Sequence, residues 1–278
     1  MVRLSRLFST ALAVVATTGF IGAGAPARAD DINTWQSVKK AGVLRCGAAL
    51  APPYVMRDPK TGTYSGFFSD ICKTFGEKVL KVKVEFIDTN WDNIVAGLQS
   101  NKWDLSMALN DTPEREKAIS FSAPVTPYNV SFAYNKNNPK VPKDAKGVAD
   151  FDKSGVSVAV MSGSAQDKAI SALLKQATIM RLPTNDDTRM ALMSKRADLL
   201  ADANITNMLL TQSHPDWASA IQPNPPIAQQ EVAFGVRKDT SAADIKVLND
   251  FIDQQVKSGN VDKLVKASVQ SMLSAASK

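Results

Sequence analysis

The chain has little histidine and little cysteine: one His and two Cys in 278 residues. The single histidine, His214, lies in the polar turn Ser213-His214-Pro215-Asp216-Trp217. A cysteine nucleophile therefore has no obvious base to activate it. A histidine-rich metal site is excluded on the same ground, and no cofactor is expected. Basic residues never gather into a run with interleaved aromatics, which argues against nucleic acid as a partner. Beyond the N-terminal segment no apolar stretch reads as a membrane span. Neither sign of charge dominates, with 33 basic and 27 acidic residues.

The N-terminal segment has the form of an export signal. Arg3 and Arg6 are basic, Leu7 to Ile21 is mostly apolar and small, and Ala27-Arg28-Ala29 is a small-x-small cleavage site. Residues 1–29 are expected to be removed before Asp30. The apolar run is short for a membrane anchor. Arg3 and Arg6 are not adjacent, so a twin-arginine signal is not indicated, and no cysteine follows the site to take a lipid. The expected destination is the periplasm, as a soluble monomer. Removing Arg3, Arg6 and Arg28 leaves 30 basic against 27 acidic residues, a net charge of +3. The remaining chain is long enough to bury a core and to form two lobes.

The stretch Asp104 to Ser122, DLSMALNDTPEREKAISFS, holds the sharpest local signal. Leu105 to Leu109 is an apolar run and predicts a buried strand. Asn110, Asp111 and Thr112 are turn and cap types, and Pro113 suits a first helical position. The helix should close near Ala118. Arg115 then falls in the first turn, where the helix dipole disfavours a cation, so it needs an anion. Two partners fit: a neighbouring acid (Glu114, Glu116 or Asp111) on the surface, or a ligand carboxylate gripped by the guanidinium.

Around this stretch the pattern alternates. A short helix anchored by Trp35 and Val38 ends at Gly42, and Val43 to Leu50 is a strand. Ala51-Pro52-Pro53-Tyr54 leaves regular structure. Arg57 to Ser65 reads as a turn-rich hairpin, and a helix carries Ile71, Cys72 and Phe75. Val82, Val84 and Phe86 alternate as a strand, and Ile94, Val95 and Leu98 share a helix face. Phe121 to Tyr128 is expected as irregular loop, Val130 to Tyr134 as strand, and Asn135 to Lys146 as a polar exit. A second unit of the same kind follows. It has strands at Val156 to Met161, Ala177 to Leu182 and Asp198 to Ala201. Its helices are expected at Ala165 to Lys175, Arg189 to Lys195 and Ile205 to Leu210. Pro215 to Gln230 is expected as irregular, Glu231 to Arg237 as a returning strand, and two helices divided by Gly259 close the chain. Strand–helix alternation signals parallel sheets with covering helices. Two crossings between similar units imply a cleft, with hinges expected near Ser131–Asn135 and Glu231–Val236.

The motifs GVLRCGAALAPPY, GTYSGFFSDI, VEFIDTNWDNIVAGLQSNKWDLSMA, TPEREKAISFS, VAVMSGSAQD, RADLLADANI and EVAFGVRKD follow one another along nearly the whole mature chain. In this order they resemble the extracellular solute-binding proteins of family 3, the polar amino acid group served by ABC importers. The resemblance implies an α/β fold of the type II periplasmic-binding-protein kind, two lobes joined by two crossing strands. It implies lobe 1 at residues 30–134 and 231–278, lobe 2 at residues 135–230, and an inner-membrane permease as partner.

By position, Arg115 is similar to the arginine that grips the ligand α-carboxylate, and Asp202 to the aspartate that receives the α-ammonium. Asp202 also reads as a cap for the helix after it. Ser164 and Ala165 stand in the family's Gly-Thr-Thr position, and Ser164 with Asp167 also fits a capping box. Asn110 and Asp111 stand where the family's loop helps hold the ammonium. Ala51 stands where many members carry an aromatic, which leaves Tyr54, Phe67 or Trp91 to cover the ligand. Cys46 and Cys72 read equally as a disulfide or as two buried thiols. Two other functions stay open. One is a periplasmic lyase of the cyclohexadienyl dehydratase type, with Asp111, Glu114 and Asp202 as nearby acids. The other is a binding protein that presents ligand to a sensor.

Overall fold

The computed structural model describes residues 33–276, so the expected leader and its cleavage site lie outside the described residues. The described residues gather into one unit. The first half runs α1 (Thr34–Ala41), β1 (Val43–Ala49), β2 (Met56–Arg57), β3 (Tyr64–Ser65), α2 (Phe67–Thr74), β4 (Lys83–Thr89), α3 (Ile94–Gln99), β5 (Leu105–Asn110), α4 (Pro113–Ala118), β6 (Ile119–Phe121) and β7 (Thr126–Asn135). The second half holds β8 (Ser157–Met161), α5 (Ala165–Leu173), β9 (Thr178–Leu182), α6 (Asn185–Met193), β10 (Leu199–Ala203), α7 (Asn204–Ser213) and β11 (Ala218–Ile221). The long strand β12 (Ile227–Arg237) and helices α8 (Ala242–Lys257) and α9 (Asn260–Ala276) follow.

One mixed sheet runs β4-β1-β5-β12-β7-β10-β8-β9, with β6 on β12 and β11 on β7. The trio β4-β1-β5 is parallel. So is the trio β10-β8-β9. Between them β7 and β12 run antiparallel to their neighbours and join the halves. β12 pairs with β5 and β6 along Val232–Arg237 and with β7 along Ile227–Val232. β7 meets β12 along Thr126–Val130, then continues beside β10 and β11 through Asn135. This is the type II architecture: two α/β lobes joined by two crossing strands.

The crossing lies earlier on β7 than Ser131–Asn135, because Val130–Tyr134 already pairs with β10 of the second half. The expected loop at Phe121–Tyr128 is partly strand, since β6 and the start of β7 both pair with β12. Pro127 is tolerated there at the beginning of its strand. The expected irregular stretch Pro215–Gln230 likewise contains β11 and the start of β12. In both regions long-range pairing overrides local proline signals. Helix α6 begins at Asn185, ahead of the expected Arg189, because the Thr184 side chain accepts from Asp187 N and caps it. After α2 the chain continues as a π-helical turn over Phe75–Leu80, which the sequence pattern did not disclose.

The core follows the apolar pattern, with Leu44, Ile71, Phe75, Ile94 and Leu98 fully buried in the first half. Val158, Val160, Ile170 and Leu199 are its counterparts in the second. Cys46 of β1 and Cys72 of α2 are bonded to each other, with Cα atoms 7.0 Å apart. The bond ties the strand that leads into Ala51–Tyr54 to the helix covering it.

Candidate functional site

The site is built from strand ends and helix starts. In parallel α/β sheets the carboxyl ends of strands face ligands. Here β5 ends at Asn110, β8 at Met161, and β10 passes through Asp202. Together with the Ala51–Tyr54 loop, Trp91 and Tyr128, these residues line a cavity of about 370 Å³ empty volume. Both halves contribute walls.

Arg115 is only 6% exposed. Thr112 caps α4 by accepting from Arg115 N, which fixes the arginine in the first turn. Its guanidinium donates from Nη1 to the Asn110 carbonyl at 3.2 Å. It also lies over the Trp91 ring, 6.0 Å from the centroid. Burial lowers its pKa to about 10, which leaves it charged at neutral pH. The neighbouring acid is taken elsewhere, because Glu114 pairs with Lys168 of α5 at 2.5 Å. Among the described residues Arg115 has no ion pair within 4.0 Å. The surface salt-bridge alternative for Arg115 is thus not what the fold adopts.

Asp202 is 4% exposed. Its Oδ1 accepts from Ala203 N at 2.7 Å and from Gln166 Nε2 at 3.1 Å. Its Oδ2 accepts from Asn185 Nδ2 at 3.1 Å. All three donors are neutral, so the carboxylate is oriented but its charge is unpaired. Burial raises its pKa to about 6 against the pull of those hydrogen bonds and of Arg189. The helix-cap alternative fails as well: α7 starts from Ala203 and has no side-chain cap.

Tyr128 is linked to Asp202 and lies within the electrostatic influence of Arg115. Its hydroxyl donates to Gln166 Oε1 at 3.0 Å, and Gln166 passes the contact on to Asp202. Burial drives the Tyr128 phenol well above its ordinary pKa, Asp202 and Tyr54 push the same way, and Arg115 opposes them. Tyr54 is buried too, and its phenol is raised by burial and by Asp202.

Of the residues singled out in the sequence, the fold brings Tyr54, Trp91, Asn110, Ser164, Ala165 and Asp202 to the cavity wall. Arg115 stands beside them, against Asn110 and Trp91. The Asn110 side chain carries a buried Nδ2 with no hydrogen-bond partner among the described residues, a donor left for a ligand. Ser164 is committed to the fold: it caps α5 by accepting from Asp167 N and donates to the Met161 carbonyl. Three residues fall outside the wall: Arg115, Phe67 and Asp111. Phe67 is fully buried behind Tyr54, with ring centroids 4.9 Å apart. Asp111 uses its backbone N–H to bind the Glu231 carbonyl, and burial with Glu116 nearby raises its carboxyl pKa. Sequence reasoning missed Tyr128, Gln166, Asn185 and Thr206. Gln166 and Asn185 begin the helices after β8 and β9, so the strand-end rule would have found them. Tyr128 was hidden by its assignment to a loop.

Direct contacts cross from one half to the other. Thr206 Oγ1 donates to the Pro52 carbonyl at 2.9 Å. Lys168 meets Glu114, and Gly163 packs against Asp92.

Comparison with known proteins gives the family and the fold. The chain is 29% identical over 203 residues to an octopine-binding periplasmic protein of Rhizobium meliloti, covering 65% of this chain and 68% of that one. It is 25% identical over 209 residues to a cyclohexadienyl dehydratase of Pseudomonas aeruginosa, covering 73% and 74%. Among solved structures it resembles an ancestral amino acid-binding protein, a precursor of cyclohexadienyl dehydratase. That match has a TM-score of 0.75 at 29% identity, over 86% of this chain and all of the other. The family model for bacterial extracellular solute-binding proteins, family 3, matches residues 44–270, and the chain belongs to that family.

Proposed function

We propose that the protein captures a zwitterionic amino acid, or a close derivative, between its lobes in the periplasm and delivers it to an ABC importer. The lobes change over where β7 and β12 pair, at Thr126–Val130 and Ile227–Val232, close to the boundaries expected at residues 134 and 231. The observation that carries the reading is a pair of buried, opposite charges beside one cavity, Arg115 and Asp202. Neither has an ionic partner among the described residues. Leaving two such charges unpaired is costly. An α-carboxylate beside Arg115 and Asn110 Nδ2, with an α-ammonium at Asp202, satisfies both.

Truncating one member of a buried charged pair costs roughly 2–5 kcal/mol. Arg115→Ala and Asp202→Ala should each weaken binding by at least about 30-fold, the low end of that range. The ligand is identified by mass spectrometry after release from freshly purified, denatured protein, and affinities are read by calorimetry. Binding by Arg115→Ala equal to wild type sinks the carboxylate clamp.

A second reading, a lyase of the cyclohexadienyl dehydratase kind, has one specific support. Asp202, raised to about 6, lies in the range of a general acid. Against it, three N–H donors on the Asp202 oxygens favour the ionised form. Turnover of a cyclic dienyl acid by wild type and its loss in Asp202→Asn would establish the enzyme; ligand recovered unchanged supports the carrier.

A further inference from the structure

A second cavity, with about 960 Å³ of empty volume, lies next to the first and shares Trp91 and Met161 with it. Asn185 also belongs to both settings. Its Nδ2 holds Asp202, and the residue lines the second cavity. A ligand whose head is fixed at Asp202 would have this space beside it, on the other side of Trp91 and Met161.

Arg189 waits there. It follows Asn185 by four residues on α6, so the two share a helix face about one turn apart. Its side chain is 30% exposed, and its nearest acid is the 88% exposed Asp186, at 4.0 Å. It makes no hydrogen bond among the described residues, so the guanidinium keeps its donors free. The same cavity is lined by a second arginine, Arg57, which Asp88 holds at 2.8 Å, and by the exposed Asp186. A carboxylate at the far end of a ligand meets donors here, and a cation meets like charge.

We propose that the ligand carries a second acidic group several bonds beyond its amino acid head, and that Arg189 binds it. This rests on the head being held as described above. One helical turn is about 5.4 Å. A side chain of about four bonds spans a comparable length, which sets the probes used below. Selectivity for an anionic tail is then set in lobe 2, separately from the Arg115–Asp202 clamp.

The test uses three probes of similar length on the intact protein by calorimetry: L-2-aminoadipate, L-norleucine and L-lysine. Wild type should bind aminoadipate at least tenfold more tightly than lysine. Arg189→Ala should lose at least tenfold for aminoadipate and change norleucine by less than threefold. The charge reversal Arg189→Glu should turn the preference toward lysine, a gain that misfolding cannot imitate. Lysine bound as tightly as aminoadipate by wild type, or aminoadipate bound equally by Arg189→Ala, overturns the proposal and leaves the head reading intact. Failure of all three probes, with Arg115→Ala and Asp202→Ala also silent toward the recovered ligand, overturns both.

Discussion

At the scale of the residue, Asp202 decides the behaviour of the empty protein. Its folded pKa of about 6 lies above the ordinary aspartate value of 3.8. The folded state therefore holds the proton more tightly than the unfolded state does. Stability from this group is fully present below pH 3.8 and is lost as pH rises through about 6. The loss amounts to about 3 kcal/mol at most, from a shift of roughly two units. Thermal unfolding of ligand-free protein should show this decline between pH 4 and 6, and Asp202→Asn should flatten it. An ammonium pairs with the ionised form, so affinity should run the other way, falling about tenfold per unit below pH 6. A binding constant unchanged from pH 7 to 4.5 would remove the ammonium from Asp202. Arg115 and Asp202 were both named from the sequence, Arg115 through its conflict with the helix dipole and both through their positions in the family resemblance. Gln166 and Asn185 gave no charge signal. They are neutral supports, and only their place at helix starts after β8 and β9 could have pointed to them.

At the scale of the element, the loops before helices carry the closing surfaces. Gly163 precedes α5 with a φ of +71°, and a Cβ there would meet the Asp92 carboxylate, 2.8 Å from its Cγ. Asp92 belongs to the turn before α3, in the other lobe. Gly163→Ala should therefore weaken ligand binding by about tenfold or more, beyond the backbone strain of about 1–2 kcal/mol that it adds to the fold itself. Pairing it with Asp92→Ala should recover the binding and leave the strain; no recovery in calorimetry would make the glycine a matter of backbone alone. The Cys46–Cys72 bond acts on stability instead. It closes a loop with a sequence separation of 26. Removing it as Cys46→Ala/Cys72→Ala should cost about 3 kcal/mol in a denaturant titration, with affinity retained. The helices and parallel strands were legible because their apolar spacing is regular. β6, β11 and the first residues of β7 and β12, which lie in or beside proline-bearing stretches, were not, because their strand character comes from partners distant in sequence. The disulfide was open in the sequence for a similar reason: it depends on how β1 and α2 face each other.

At the scale of the whole molecule, the sheet itself suggests the motion. β7 and β12 are the strands through which the sheet passes from one parallel trio to the other, and they pair at Thr126–Val130 with Ile227–Val232. The register shifts between Ile227 and Gln230, and Ala228 has a φ of +47°, so the crossing is irregular where rotation would concentrate. Among the described residues, the contacts between the lobes include polar ones, exposed or part-buried. Lys168 and Glu114 are half-exposed or more, so their pair is weak and screened by salt. Thr206 to Pro52 is a single hydrogen bond. Two buried charges of opposite sign beside the cavity need a ligand between them to make closure favourable. The contacted form should therefore be a minor state without ligand and the main one with it. Small-angle scattering should give a smaller radius of gyration at saturating ligand than without. Asp202→Ala, which removes one end of the clamp, should keep the larger value at the same ligand concentration. High salt should loosen the Lys168–Glu114 pair and enlarge the free protein further, with little effect on the saturated form, whose charges are buried. An identical profile in all these states would mean that the lobes do not move about the crossing, and that ligand enters by local opening of the Ala51–Tyr54 loop instead.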